Sequence, residues 1–378
     1  MWPDRRLLDL LNIELPIVQA PMAGANGAAM AAAVSAAGGL GSLPCAMLDA
    51  GRVRAELGII RQRTDKPVNL NFFCHAPPSP DPEKEARWRA RLAPYYAEMG
   101  LSVDATAPSV NRAPFDETMC ALVEELRPAV VSFHFGLPTP DRLGRVKAAG
   151  CTVLGSATTV AEARWLVAQG CDAVIAQGWE AGGHRGMFLS DDPSTQMGTF
   201  ALVPQVADAV GVPVIAAGGI GDARGIAAAF ALGAAGVQLG TAYLWTPEAT
   251  ISDRHRRHLG EMRGDGTQVT NIFSGRPARG IVNRAMRELG PISDVAPAFP
   301  TAGAALAPLK AKAEAAGRSD FSAEWAGQAG ALGQAMDAAT LTRHLAEEAR
   351  RHLAGLGRGL MINEGMAVPA EGLEPPTP

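Results

Sequence analysis

Strand, loop and helix alternate eight times between the start of the chain and about residue 245, and no other feature narrows the fold as far. Short apolar runs at 17–20, 40–43, 68–72, 129–133, 152–155, 173–176, 214–217 and 236–239 predict the strands. Strands buried on both faces, as in a parallel sheet covered by helices, need no alternation of apolar and polar residues. The clearest unit is 151–177. Its strand is followed by Thr159-Val160-Ala161-Glu162, the Thr-x-x-Glu spacing of a helix start, then by an apolar face of Ala163, Leu166 and Val167, and by Gly170 as terminator. Eight such units predict an α/β protein, a (β/α)8 TIM barrel.

Two segments break the rhythm. Residues 74–128 carry Pro77, Pro78, Pro80 and Pro82 and then a charged helix at about 83–99, too long for a simple connection and expected to drape over the barrel mouth. After residue 244 the alternation stops. The expected organisation is a barrel at 1–245 with the lid-like insertion at 74–128, a smaller, mainly helical lobe at 246–335, a C-terminal helix within 336–358 packing back on the barrel, and a loose tail at 359–378.

The 34 Lys+Arg against 38 Asp+Glu argue against a nucleic-acid partner. Five cysteines without a CxxC pair, and first residues lacking the basic-then-apolar order of a signal peptide, make a reducing cytoplasm the default location. No apolar run is long enough to span a bilayer. No His/Cys/Asp/Glu spacing indicates a metal site.

Reactive groups of a barrel belong on the loops at the carboxyl ends of its strands. The most informative loop is Gln177-Gly178-Trp179-Glu180-Ala181-Gly182-Gly183-His184-Arg185-Gly186, where His184 is the one imidazole among glycines and the expected catalytic residue. Ala217-Gly218-Gly219-Ile220 and Gln238-Leu239-Gly240-Thr241 end the last two strands. Glycines there let backbone N–H groups approach a phosphate, although glycine also serves tight turns. Ala20-Pro21-Met22 leaves backbone groups open at the end of the first strand, and the amides of Asn71 and Gln177 suit a heterocycle that both donates and accepts. His134 follows another buried strand and is either a substrate-side residue or a wall residue. His255 and His258, within Arg254-His255-Arg256-Arg257-His258, read as a solvated or lobe-docking helix face. His75, His344 and His352 have no supporting constellation.

Eight motifs in order, namely Gln19-Ala20-Pro21-Met22, Asn71-Phe72-Phe73, Ser132-Phe133-His134-Phe135-Gly136, Ser156-Ala157-Thr158-Thr159-Val160, the 177–186 loop, Ala217 to Ile220, Gln238 to Thr241 and Trp325-Ala326-Gly327-Gln328, closely resemble those of nitronate monooxygenases, formerly 2-nitropropane dioxygenases, class I-like. The resemblance covers roughly residues 10–350. It implies FMN-dependent oxidation of alkyl nitronates by O2 to a carbonyl compound and nitrite, through one-electron flavin chemistry and without a metal. Carried over residue by residue, Ala20, Pro21, Met22, Asn71, Gln177, Gly182, Gly218, Gly219 and Gln238 to Thr241 (Gln238, Leu239, Gly240, Thr241) would contact FMN, and His184 would be catalytic. Gly41 to Cys45 replaces a glycine-rich loop of many relatives, and with only Tyr95, Tyr96 and Tyr243 present the aromatic substrate contacts of some relatives are not expected here.

An imidazole can hold a nitronate by hydrogen bond, or take the α-proton of a neutral nitroalkane if its pKa lies near the working pH. Arg185, Arg276 or Arg279 could meet a substrate carboxylate, as propionate 3-nitronate would require. Three other readings remain open on sequence: an FMN-dependent NAD(P)H enoyl-thioester or quinone reductase on the same barrel, a cofactor-free sugar-phosphate isomerase, and a non-catalytic ligand-binding protein. A homodimer is a possible assembly.

Overall fold

The computed structural model describes residues 2–104, 112–264 and 266–364, with backbone alone from 357 onward. Eight parallel strands form the barrel: β1 Ile17–Gln19, β2 Gly41–Pro44, β3 Val68–Phe73, β4 Val130–His134, β5 Thr152–Ala157, β6 Ala173–Gln177, β8 Val214–Ala217 and β9 Gly236–Leu239. The number β7 belongs to a two-residue strand, Gly183–His184, outside the barrel. Neighbours run β1-β9-β8-β6-β5-β4-β3-β2. The ring closes where Gln19 N donates to Leu40 O and Leu40 N to Ile17 O, each at 2.9 Å.

The helices are α1 Arg6–Leu11, α2 Ala28–Ala36, α3 Ala50–Arg63, α4 Pro82–Glu98, α5 Glu117–Leu126, α6 Pro140–Ala148, α7 Val160–Ala168, α8 Thr199–Ala209, α9 Ala223–Ala231, α10 Asp253–Glu261, α11 Arg284–Glu288, α12 Ala307–Ala315 and α13 Ala338–Glu364. No α-helix directly follows β9; α13 instead contacts both α9 and α2 and covers the seam between them. Its backbone continues to Glu364, beyond the expected limit of 358, while most of the expected tail, from 365 on, lies outside the described residues. Among the described residues no helix is long and apolar enough to cross a membrane.

The Thr159–Glu162 start of α7 forms with one change. Thr159 caps Glu162 N at 3.2 Å as the spacing predicts. The buried Glu162 carboxylate reaches past the cap: one oxygen accepts Thr158 N and Oγ1, both at 2.7 Å, and the other accepts Phe188 N at 2.7 Å and Leu189 N at 3.2 Å. Glu162 thereby anchors the chain that leaves β7.

The segment 74–128 divides in two. Its helix α4 packs Trp88, Leu92, Tyr95 and Tyr96 into a second hydrophobic core with Ile272, Phe273, Met286, Leu306, Leu309 and Phe321. Trp88 Nε1 donates to Ala302 O at 3.0 Å and Tyr96 OH to Ala305 O at 2.6 Å, so the polar ends of both rings are satisfied inside that core. The smaller lobe also has a sheet that the sequence pattern does not reveal. β10 Thr267–Thr270 pairs antiparallel with β11 Ala278–Ile281, and β11 pairs with β7, placing His184 opposite Ala278. The expected catalytic loop is thus stitched to the second lobe by main-chain bonds.

Candidate functional site

A cavity of about 480 Å³ opens at the carboxyl ends of the barrel strands beneath the second lobe. That volume is within the usual range for a small-molecule or cofactor site. Ala20, Pro21 and Met22 after β1, Asn71 on β3, His134 on β4, Gln177 on β6, Gly182 and His184 on the following loop, Gly218 and Gly219 after β8, and Gln238, Gly240 and Thr241 at the end of β9 all line it. Leu239 does not. On a strand, successive side chains point to opposite faces, so Leu239, beside the wall residue Gln238, is buried in the barrel core.

The loop carrying His184 is held by its own backbone. Gln177 Nε2 donates to His184 O at 2.9 Å, and Gly186 N donates to Gln177 Oε1 at 2.7 Å, so the Gln177 amide braces the loop. His134 Nε2 also bonds His184 O, at 3.3 Å, which requires the proton on that nitrogen. Gly182 passes close to the Trp325-Ala326-Gly327 turn, where a Cβ would stand 2.5 Å from Gly327 N; only glycine fits.

The His184 ring stands in an aromatic cage. Its centroid is 5.4 Å from both Phe299 and Trp325, 6.1 Å from Phe135 and 6.5 Å from Phe73. None of the three tyrosines lines the cavity; Phe73 and Trp325 supply its aromatic wall. His184 Nε2 lies 2.9 Å from Ser274 Oγ, whose hydroxyl is 3.3 Å from its own acceptor, Arg276 O. With the Ser274 proton so directed, Nε2 is the donor and Nδ1 carries the lone pair. Nδ1 has no hydrogen-bond partner among the described residues and is not among the polar atoms sealed from the cavity. Burial first, then the positive charge of Arg112 and other neighbours, holds the imidazole pKa well below its ordinary 6.5. His184 is a neutral base at neutral pH.

Three further histidines share this condition. Burial holds His75, His134 and His255 at about 4. The sequence reading dismissed two of them, yet His75 packs edge-on to Phe299 at 4.8 Å, and His255 is buried against the cavity with Nε2 unpartnered. His258 instead bonds Glu324 at 2.7 Å. A depressed native pKa means that the unfolded chain takes up the proton first. The stability linked to these rings is therefore complete above about 6.5 and is lost as pH falls toward 4. Each ring steepens that loss by at most about 1.4 kcal/mol per pH unit. We expect unfolding free energy, measured in urea, to fall through this window and the slope to flatten in His255→Gln; a flat profile for the unaltered protein would contradict the assignment.

The arginines divide differently from the sequence expectation. Arg185 is buried and lies outside the cavity wall. Its guanidinium donates to the carbonyls of Gln177 and Gly178 and to Gln196 Oε1, leaving nothing for a substrate. Arg276 also lies off the wall, bonded to Met187 O at 3.2 Å and stacked on Phe135. Arg279 is engaged by Trp179 O. The guanidinium that does line the cavity is Arg112, which the sequence left unmarked inside the long insertion.

At the opposite wall, Gly218 and Gly219 adopt φ of 103° and 72°, the left-handed region that favours glycine. Their N–H groups have no hydrogen-bond partner among the described residues. Gln238 Oε1 is likewise buried and unpartnered.

The fold defines a TIM-barrel enzyme, with its cavity at the carboxyl ends of the strands. A family model described as nitronate monooxygenase matches residues 4–348. A nitronate monooxygenase of Pseudomonas aeruginosa is 44% identical over 347 residues, covering 91% of this chain and 99% of its own. One from Paraburkholderia phytofirmans is 44% identical, covering 93% and 97%. The solved structure of a nitroalkane oxidase from Streptomyces ansochromogenes matches with a TM-score of 0.84 at 38% identity over 93% of this chain and 99% of that one. FabK from Thermotoga maritima matches at 0.72 and 28% identity, covering 95% of this chain and 100% of its own. The chain belongs to the nitronate monooxygenase family.

Proposed function

We propose that this protein binds FMN in the barrel mouth and oxidises alkyl nitronates with O2 to a carbonyl compound and nitrite. The observation that carries the reading is His184: a neutral imidazole with an unbonded Nδ1, in an aromatic cage on the cavity wall. The residues fit the cofactor. The open Gly218 and Gly219 N–H groups form a cradle for a phosphate that a side chain at Gly218, with a Cβ 2.9 Å from Ala181 N, would disrupt. The orphaned Gln238 Oε1 calls for a donor that the described residues do not supply. Ala20, Pro21, Met22, Asn71, Gly182, Gly240 and Thr241 complete the wall.

FMN, when bound, would supply the redox chemistry; the chain positions the substrate and offers a proton acceptor. Asn71 Nδ2 is fixed by Ser132 Oγ at 2.9 Å, which leaves its oxygen without a partner among the described residues and available to a cofactor donor. His184 Nδ1 is the acceptor the site offers for the α-proton of a neutral nitroalkane, with Ser274 holding the ring in the matching tautomer; its depressed pKa makes it a weak base, so a preformed nitronate, which needs no proton transfer, is the better substrate. Phe73, Phe299 and Trp325 keep water from the reacting carbon.

The test is anaerobic mixing of the purified yellow protein with ethylnitronate, with NADH and with NADPH, following the flavin band in a stopped-flow instrument. Bleaching by the nitronate alone is expected. Rapid bleaching by either nucleotide and none by nitronate would overturn the reading in favour of a reductase, and a colourless protein that takes up no FMN would remove the cofactor.

A further inference from the structure

We propose that Arg112 grips a planar oxyanion of the substrate in front of His184 and so sets the preference for anionic nitronates over neutral nitroalkanes. The inference deepens the nitronate reading and rests on it. Arg112 lines the cavity together with Phe73, His134 and His184. Its guanidinium carbon lies 5.8 Å from the centroid of Phe299, the same ring that packs 5.4 Å from His184, so both groups flank one aromatic wall.

No hydrogen bond or ion pair holds the Arg112 guanidinium among the described residues. The three acids that line the same cavity are committed elsewhere. Glu180 accepts Thr199 N and Oγ1, Glu314 accepts Ser322 Oγ at 2.8 Å, and Glu324 bonds His258. Burial lowers the Arg112 pKa and no neighbouring anion offsets it, the condition of a desolvated cation without a counter-ion among the described residues. The neighbouring arginines are not in this state, since Arg185, Arg276 and Arg279 are all bonded to backbone carbonyls.

The missing partner is an anion. The histidines around it are held neutral and cannot balance one, and the other cation on the cavity wall, Lys310, lies 4.0 Å from Glu314, so Arg112 is the one unpaired positive charge that a nitronate entering the cage meets among the described residues. A guanidinium presents parallel N–H donors in a plane, a fork that matches the two oxygens of a nitronate as it matches a carboxylate. The same chemistry would hold the distal carboxylate of propionate 3-nitronate, and substrates separate the two.

The experiment compares wild type, Arg112→Gln and Arg112→Lys, all flavin-loaded. Turnover is measured with ethylnitronate, propionate 3-nitronate and nitroethane, and binding of nitrate, an unreactive planar anion, by calorimetry. Arg112→Gln should lower kcat/KM for anionic substrate roughly 10- to 100-fold and weaken nitrate by a similar factor, while nitroethane, which carries no oxyanion until its α-proton leaves, should lose less. Lysine should recover only part of the nitrate affinity, because a point charge lacks the fork. Loss with both nitronates places the grip on the nitronate group, and loss confined to propionate 3-nitronate places it on the carboxylate. Absence of nitrate binding in wild type, undiminished nitrate binding in Arg112→Gln, or unchanged kcat/KM for both nitronates overturns the proposal. If wild type oxidises no nitronate at all, the functional reading fails, while loss of nitrate binding in Arg112→Gln would still locate the anion site.

Discussion

Replacing His184 by Asn should lower kcat/KM for a neutral nitroalkane by roughly 10²- to 10⁴-fold, the usual contribution of a positioned general base. FMN content should stay at the wild-type level. The two effects separate because the strand carrying His184 is held through its main chain: Ala278 opposes it on β11, and its carbonyl accepts from Gln177 and His134. None of those bonds uses the imidazole. The proposed phosphate cradle at Gly218 and Gly219 belongs to another strand end. The pH profile supplies a second readout. Proton abstraction needs the neutral ring, and the ring pKa lies well below 6.5, so the wild-type activity limb assigned to this group should lie on the acid side of that value. Asparagine should abolish that limb. Turnover of nitroethane by His184→Asn within a few-fold of wild type would remove His184 as the base.

Much of the barrel was legible because each of its units is local. The runs at 214–217 and 236–239 coincide with β8 and β9, and the others differ by a residue or two at their ends. Such strands are specified by apolar runs between turn signals, and that pattern lies within a few residues of sequence. The second lobe was not legible in the same way. β7 is two residues long and exists because β11, nearly a hundred residues later, pairs with it; neither Gly183 nor His184 has strand character alone. His255 shows the same limit from the other side. Its basic helix reads as either solvated or lobe-docking, and tertiary packing decides for the second, burying His255 at the cavity edge. Among cavity-lining residues, those on barrel loops were legible from glycine and amide placement. Arg112 carries no motif, and its significance comes from what is missing around it in space, which one-dimensional spacing does not encode.

That distinction is sharpest at Arg185, adjacent to the proposed catalytic histidine and expected from sequence to meet a substrate carboxylate. Arg185→Leu should instead lower the unfolding free energy by about 3–5 kcal/mol, because two main-chain carbonyls and a side-chain amide oxygen lose their donor in a buried setting. β6 ends at Gln177, and beyond it the Gln177 and Gly178 carbonyls are tied to the chain that returns after β7 by this one guanidinium. The same group meets Gln196 Oε1 at 3.0 Å and lies 5.5 Å from the Trp179 ring centroid. Burial lowers its pKa to about 9, still charged at neutral pH, so it remains a full donor there. Arg185→Lys should recover little, since one ammonium cannot span both carbonyls and Gln196 from a single stem. Urea unfolding and KM decide between the two roles: a structural brace lowers the transition midpoint, whereas a substrate ligand raises KM for propionate 3-nitronate at unchanged midpoint. The second pattern would return Arg185 to the substrate side of the loop, against the bonding that fixes it in the wall.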